Sequence, residues 1–151
     1  MQANQNDPTA VAFNERAQAI AAIEIFLRLV RKACDCFEGD DVETILVILT
    51  VAAASAGKHL RDPELLQSLG TQSLPDHLHQ PTSGRSIADS TGLPRETVRR
   101  RLKALVEAGR LVKDARGYRT TTGMLTRNRN REFARFIVGE LKAAPQKLDR
   151  F

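Results

Sequence analysis

The chain has 151 residues, a net charge of +5 and 42% hydrophobic residues, which suits one domain, or one domain with an oligomerisation arm. Tryptophan is absent and aromatic residues are few, so the core must consist of Leu, Ile, Val and Ala. Met1–Thr9 lacks the features of a signal peptide, and the longest apolar stretch, Ile45–Ala56, is shorter than the about 20 residues that cross a bilayer. We therefore expect a cytoplasmic protein with no membrane partner.

Charge is distributed unevenly along the chain. Residues 1–83 contain 6 Lys and Arg and 11 Asp and Glu, whereas residues 84–151 contain 17 Lys and Arg and 7 Asp and Glu. Because a strongly basic segment attracts polyanions, the second half is expected to bind nucleic acid and the first half to do something else.

The first part of the chain predicts one long helix. Asp7-Pro8 is a typical helix start, and no Gly or Pro follows before Phe37. Two apolar stripes run along this helix, one of Phe13, Ile20, Ile23, Leu27, Val30, Cys34 and Phe37, the other of Ala22, Phe26, Leu29, Ala33 and Cys36. One stripe can pack on its own domain, and the other is expected to meet a second subunit; alternatively both pack within one chain. We assign residues 1–38 to an N-terminal dimerisation helix.

A second helix is predicted next. Gly39 ends the first helix, and Asp40 and Glu43 have the spacing of a capping box. Residues 42–57 are apolar nearly all round, which β propensity would allow as a strand. Their length, the cap and the run of alanines favour a buried core helix.

The connection 59–83 is unusually long. Asp62–Gly70 predicts a short helix with an Asp-Pro start and a Gly end. Ser73–Gly84 is rich in Ser, Pro, Thr, Asp and His and predicts a loop. Long loops are either functional or mobile, and the residues do not decide between these alternatives.

Residues 86–122 predict a helix, a turn, a second helix and a hairpin. Ser86 and Asp89 indicate the first helix start, and Gly92 with Pro94 separates the two helices. Asp114–Gly117 is a hairpin turn between short apolar runs. The second helix has an apolar stripe of Val98, Leu102, Leu105 and Val106. This order is that of a winged helix-turn-helix.

The remaining surface of the motif is suited to DNA. An α-helix fits the major groove, where Arg can bond to guanine and Glu can accept from cytosine. A helical wheel places Arg99 and Arg101 beside the outward face, and the hairpin contributes cations for phosphates. The predicted DNA-binding residues are Arg95, Glu96, Thr97, Arg99, Arg100, Lys103, Lys113, Arg116 and Arg119. The alternative is a solvated helix face beside an ordinary hairpin.

Residues 124–151 predict a C-terminal helix that ends at Ala144-Pro145, followed by a loose tail. Arg127–Arg131 is a basic patch that could touch the DNA backbone or simply be solvated. Together with the N-terminal helix, the apolar stripe of this helix is expected to hold a homodimer. The predicted dimerisation residues are Phe13, Ile20, Leu27, Phe133, Phe136, Ile137 and Leu141.

Other chemistry has little support in the sequence. Gly57-Lys58 lacks the leading Gly and the following hydroxyl of a phosphate-binding loop. His59, His77 and His79 lack a fixed Cys or carboxylate partner, so surface histidines are favoured over a metal site. Cys34 and Cys36 are expected in the core, with a redox switch as the alternative. We predict no enzyme activity, catalytic residues, metal or cofactor.

The motif resembles known bacterial transcription regulators. Residues 84–123 are similar to the DNA-binding module of the IclR family, especially at Thr91–Pro94 and Leu105–Leu111. The wider layout resembles the MarR family, although the short wing, Lys113–Arg119, lacks the Asp-x-Arg motif of that family. The resemblance implies a homodimer on double-stranded DNA, with an effector ligand as a possibility.

We therefore expect a mainly α fold with a small β-hairpin wing, a winged helix-turn-helix with long N- and C-terminal dimerisation helices. The DNA-binding domain would comprise residues 39–123, and residues 124–151 would form the C-terminal dimerisation helix. The predicted function is a sequence-specific transcriptional regulator, most simply a homodimeric repressor. The alternative is a winged helix that serves protein interaction or assembly, for example in a replication or partition complex.

Overall fold

The structure, a computed structural model, describes residues 8–70, 72–124 and 127–151. It confirms a mainly helical fold with one small antiparallel hairpin. The helices of the described residues are α1 (Pro8–Cys36), α2 (Val42–Ala56), α3 (Pro63–Leu69), α4 (Gly84–Thr91), α5 (Arg95–Glu107) and α6 (Asn128–Leu148). The strands are β1 (Leu111–Asp114) and β2 (Gly117–Thr120), and short 3-10 turns span His59–Arg61 and Asp76–Leu78.

The long helix α1 packs along α6. Arg28 of α1 forms an ion pair with Glu140 of α6 at 3.0 Å, and Gln18 donates a hydrogen bond to the Leu148 carbonyl. Ile25 is buried on this side of α1. The expected cap, Asp7, lies outside the described residues.

The start of α2 differs from the prediction. Asp41, not Asp40, caps the helix, and its carboxylate accepts a hydrogen bond from the Thr44 amide at 2.8 Å. The predicted capping box between Asp40 and Glu43 is wrong, because both carboxylates pair with arginines of a later segment. The helix itself is confirmed, and its face of Val47, Ile48 and Val51 is buried.

The core lies where α2, α4 and α5 meet, and α1, α6 and the hairpin close it. Val98, Leu102 and Leu105 of α5 pack there, which confirms most of the predicted stripe. Val106, predicted in the same stripe, is only half-buried. Since this stripe is held inside, the opposite face of α5 must point to solvent.

The turn between α4 and α5 contains Gly92 as predicted. Gly92 has a φ of +72°, a left-handed conformation that glycine adopts without steric cost. However, α4 begins two residues before Ser86, and its cap is Ser83, whose hydroxyl accepts from the Ser86 amide at 3.1 Å. Pro94 precedes α5 as its cap residue and does not belong to its first turn.

The hairpin is fastened to α2 and to the connecting loop. In its register Leu111 pairs with Thr120 and Asp114 with Gly117. The Thr120 amide donates to the buried Ser55 hydroxyl of α2.

The loop 72–83 is also fixed to strand β2 and to helix α2. Thr82 and Tyr118 exchange two backbone hydrogen bonds of 2.8–2.9 Å, and the Gln80 amide donates to the Ser55 carbonyl. The buried His79 contacts the Thr120 hydroxyl at 2.9 Å. The prediction of a surface histidine at position 79 is therefore wrong.

The C-terminal helix α6 continues past Pro145 to Leu148, so the predicted end at Ala144-Pro145 is wrong. A proline in the last turn removes one donor, but the Asp149 amide still donates to the Pro145 carbonyl. The contact of Gln18 with Leu148 supports this last turn from α1. Met124, predicted to begin the helix, instead lies buried in the core.

Candidate nucleic-acid interface

The outward face of α5 presents most of the predicted DNA-binding residues of this helix. Arg95, Glu96, Arg99, Arg100 and Lys103 are exposed, and Thr97 is half-buried. They project from a helix whose other face is buried, so the backbone beneath them is held in place. An exposed α-helix of this kind is narrow enough to fit into the major groove of DNA.

Glu96 and Arg99 form a bidentate pair on the first turns of α5. Arg99 donates from Nε and Nη2 to the two carboxylate oxygens of Glu96, at 2.8 and 2.6 Å. Hydrogen bonding from Arg99 holds the pKa of Glu96 below its usual range, and the same bond raises the pKa of Arg99. Both side chains are largely exposed, so the pair adds little to stability but orients the two groups relative to each other.

Arg95 and Arg100 are exposed cations that form no ion pair with another described residue. Lys103 is 3.8 Å from Glu107, a loose pair in which both side chains are well exposed. Such a contact exchanges readily with solvent. These three cations are therefore available to an anionic partner.

Arg101 lies on a different side of α5. Its guanidinium contacts Asp41 at 2.5 Å and Glu43 at 2.9 Å, at the start of α2. Hydrogen bonding to Glu43 raises the pKa of Arg101 above its usual value. Arg101 therefore anchors the helix and is not beside the outward face as the helical wheel suggested.

Arg110 makes a second anchor that sequence reasoning missed. Its two terminal nitrogens each lie 2.7 Å from an oxygen of Asp40. Asp40 and Arg110 are 70 positions apart, and no local pattern points to their pairing. Together, the Arg101 and Arg110 contacts fix α5 and the strand after it relative to the start of α2.

The three hairpin cations have different surroundings. Lys113 lies over the Tyr118 ring, 5.6 Å from its centre, and Arg116 is exposed at the turn. Arg119, in contrast, is only 16% exposed and is paired with Asp76 at 2.8 Å and with Asp114 at 3.6 Å. The side chains of Lys113 and Arg116 are therefore more accessible to an anionic partner than that of Arg119.

A cleft of about 330 Å³ separates α5 from the hairpin. Arg99 and Lys103 line it from α5, and Lys113 and Tyr118 line it from the hairpin. Three cations and one carboxylate, Glu107, therefore surround an opening next to the outward face of α5.

A second surface, on α1 and α6, is apolar and exposed. Phe13, Ile20 and Leu27 are 70%, 60% and 57% exposed, and Leu141 of α6 is also exposed. The first three are spaced by seven residues, so they lie along one side of α1.

Phe133, predicted as a dimerisation residue, does not belong to this exposed surface. It is 5% exposed and packs edge-on against Phe37, with ring centres 5.6 Å apart. The side chains of Phe136 and Ile137, also on α6, are half-buried. The stripe of α6 is thus used largely within one chain.

The two cysteines differ in exposure, and one arginine of the basic patch Arg127–Arg131 is paired. Cys36 is buried, and burial raises the pKa of its thiol. Cys34 is exposed, so the prediction that it lies in the core is wrong. Arg129 in the basic patch pairs with Glu38 at 2.8 Å. Among the described residues, no group of three or more His, Cys, Asp or Glu is arranged to hold a metal ion.

Comparisons with protein-family models, with curated proteins and with solved structures found no match. Within the described residues, no helix combines the length and the apolar character required to cross a membrane.

Proposed function

We propose that residues 39–123 form a winged helix-turn-helix that binds double-stranded DNA. In this proposal α4 and α5 are the two helices of the motif, α5 enters the major groove, and the hairpin is the wing. The observation that carries the proposal is the outward face of α5, where Arg95 and Arg100 are exposed without ion-pair partners among the described residues, beside the cleft that Lys113 lines.

Roles within this surface follow from the geometry. Arg100 is assigned to a base edge, since it is exposed and unpaired on a helix that is fixed from behind. The Glu96–Arg99 pair presents an acceptor and a donor side by side, which suits discrimination between bases. Lys103, Lys113 and Arg116 are assigned to phosphates, which position the protein without reading sequence.

The regulator is proposed to act as a homodimer, most simply as a repressor. One winged helix contacts few base pairs, and two symmetry-related copies would read half-sites about 34–36 Å apart. The exposed stripe of Phe13, Ile20 and Leu27 supports a second copy as the partner of α1, because two-fold pairing is the commonest way to bury such a surface.

Salt dependence of duplex binding tests the proposal. Fluorescence anisotropy of a labelled duplex should show binding at low salt, and the affinity should fall steeply between about 50 mM and 200 mM salt. Contacts with 6–10 phosphates would reduce it by about 10³–10⁵-fold over that range. Selection of bound fragments from a genomic pool should then yield a pseudo-palindromic sequence.

Absence of binding at low salt, or an affinity that does not change with salt, would contradict the proposal. Either result would favour the alternative of a winged helix that binds another protein. A charge-reversal variant, Arg100→Glu, provides the matched loss-of-binding control, because the exposed Arg100 makes no ion pair with the described residues.

A further inference from the structure

The three histidines of this chain, His59, His77 and His79, line one pocket. Leu78, Gln80, Pro81 and the hairpin residue Arg116 complete the described lining, and the volume is about 440 Å³. This is within the range of small-ligand sites. The lining residues come from the 3-10 turn after α2, from the loop 72–83 and from the hairpin, and the fold brings them together.

One lining residue of this pocket, His79, is fixed by contacts within the chain. His79 has both ring nitrogens occupied, Nδ1 by the Thr120 hydroxyl at 2.9 Å and Nε2 by the Leu74 carbonyl at 3.1 Å. Since a carbonyl only accepts, Nε2 of His79 carries a proton and donates it. His79 therefore fastens the loop and leaves His59, His77 and Arg116 to face the opening.

The lining chemistry favours an anion. Arg116 carries a permanent charge, and none of the described lining residues is a carboxylate. Asp76, which directly precedes His77 in the sequence, accepts hydrogen bonds from Arg119 at 2.8 Å and from the Thr122 hydroxyl at 3.1 Å. Gln80 points its amide nitrogen at Nε2 of His59, 3.4 Å away, which leaves the proton of neutral His59 on Nδ1.

We propose that this pocket binds a small oxyanion, a sulfate-, phosphate- or carboxylate-like group, through Arg116, His59 and His77. The group has two possible sources, a free small anion or a backbone phosphate of bound DNA, because Arg116 at the hairpin turn also belongs to the proposed DNA surface, so the second source rests on the proposed function. Binding of the free anion does not depend on DNA binding.

The test is an NMR titration of the imidazole signals with sulfate, at constant ionic strength balanced with chloride. Because the chain has only three histidines, each signal can be assigned with single variants. The His59 and His77 signals should shift saturably, and those of His79 should shift least. Arg116→Gln should weaken sulfate binding about tenfold, the loss of one charge-assisted hydrogen bond. The control Arg31→Gln, at an exposed position of α1, should leave it unchanged.

Shifts that chloride reproduces, or equal affinities of the Arg116→Gln and Arg31→Gln variants, would overturn the site. A duplex titration then identifies the source of the anion. If DNA phosphate occupies the pocket, duplex shifts the same signals and competes with sulfate; if a free anion does, sulfate still binds in the presence of duplex. A protein that binds sulfate here but no duplex retains this site and loses the proposed function.

Discussion

Arg100 and Arg101 are neighbours in sequence with opposite surroundings. Arg100 is exposed and unpaired among the described residues, whereas Arg101 contacts Asp41 and Glu43. The run of three arginines in the sequence, residues 99–101, therefore contains side chains in at least two different environments.

We expect Arg100→Ala to weaken binding of a selected duplex by about 1–3 kcal/mol and to relax preference at one base position. The melting temperature should not change, because Arg100 makes no ion pair within the described residues. Arg101→Ala is the matched variant and should lower the melting temperature, since it leaves two carboxylates without their cation. Competition binding and thermal melting measure the two effects. Uniform weakening of Arg100→Ala on all sequences would remove Arg100 from base reading.

Gly117 illustrates a backbone constraint. It begins β2 with a φ of +145°, and a Cβ placed there would lie 2.3 Å from the Thr82 carbonyl oxygen. That carbonyl accepts a hydrogen bond from the Tyr118 amide at 2.8 Å, so the hairpin and the loop 72–83 are in direct backbone contact at this point.

Gly117→Ala should therefore destabilise the protein by more than about 1 kcal/mol. Gly139→Ala is the opposite control, because Gly139 is inside α6 and a Cβ there meets nothing within 4 Å. It should stabilise by about 0.5–1 kcal/mol through helix propensity. Urea unfolding of both variants gives the two free energies. Equal effects of the two substitutions would show that the contact at Thr82 is not tight.

Helix α4 shows how a cap defines an element. Ser86 has the sequence pattern of a cap, but Ser83 has extended backbone angles and accepts the hydrogen bond from the Ser86 amide. Asp89, expected to complete a capping box, instead lies 4.0 Å from Arg85 across one helical turn.

Ser83→Ala should cost about 0.5–2 kcal/mol in the free energy of unfolding, the usual effect of removing a cap. Ser86→Ala, which removes only the contact between the two hydroxyls, should cost less. Denaturant unfolding with unchanged slope is the measurement. A larger loss for Ser86→Ala than for Ser83→Ala would restore the cap predicted from sequence.

At the scale of the whole molecule, the two candidate surfaces differ in character, because one is basic and the other is apolar. The basic face of α5 with the hairpin is distinct from the apolar stripe on α1, so substitutions in one need not affect the other. This separation allows the proposed dimer to be tested without changing the proposed DNA surface.

Replacing Ile20 and Leu27 with Lys should convert the dimer to a monomer, because two charges would be placed in the proposed interface. Light scattering at micromolar concentration should report half the wild-type mass. The single variant Glu15→Lys changes the charge by the same two units at an exposed position of α1 that belongs to neither apolar stripe, and it should remain dimeric. Binding to a pseudo-palindrome should weaken only in the first variant. A monomeric wild-type protein that binds one site tightly would contradict the dimer.

Local patterns in the sequence determined much of the helical framework. The Asp62 start of α3 and the Gly92 end of α4 follow from backbone hydrogen bonds and φ preferences within a few residues. The buried stripe of α5 and its outward basic face follow from helical periodicity alone. The basic candidate surface was therefore largely predictable, because its cause is local.

Only the tertiary structure decided which side chains are buried and which are paired with distant residues. Arg101 and His79 have partners 58 and 41 positions away, and Phe133 lies in the core against Phe37. The extension of α6 past Pro145 likewise occurs where α1 packs against it. Such outcomes depend on which segments meet in space, and burial and pairing between distant segments leave no signal in a local sequence window.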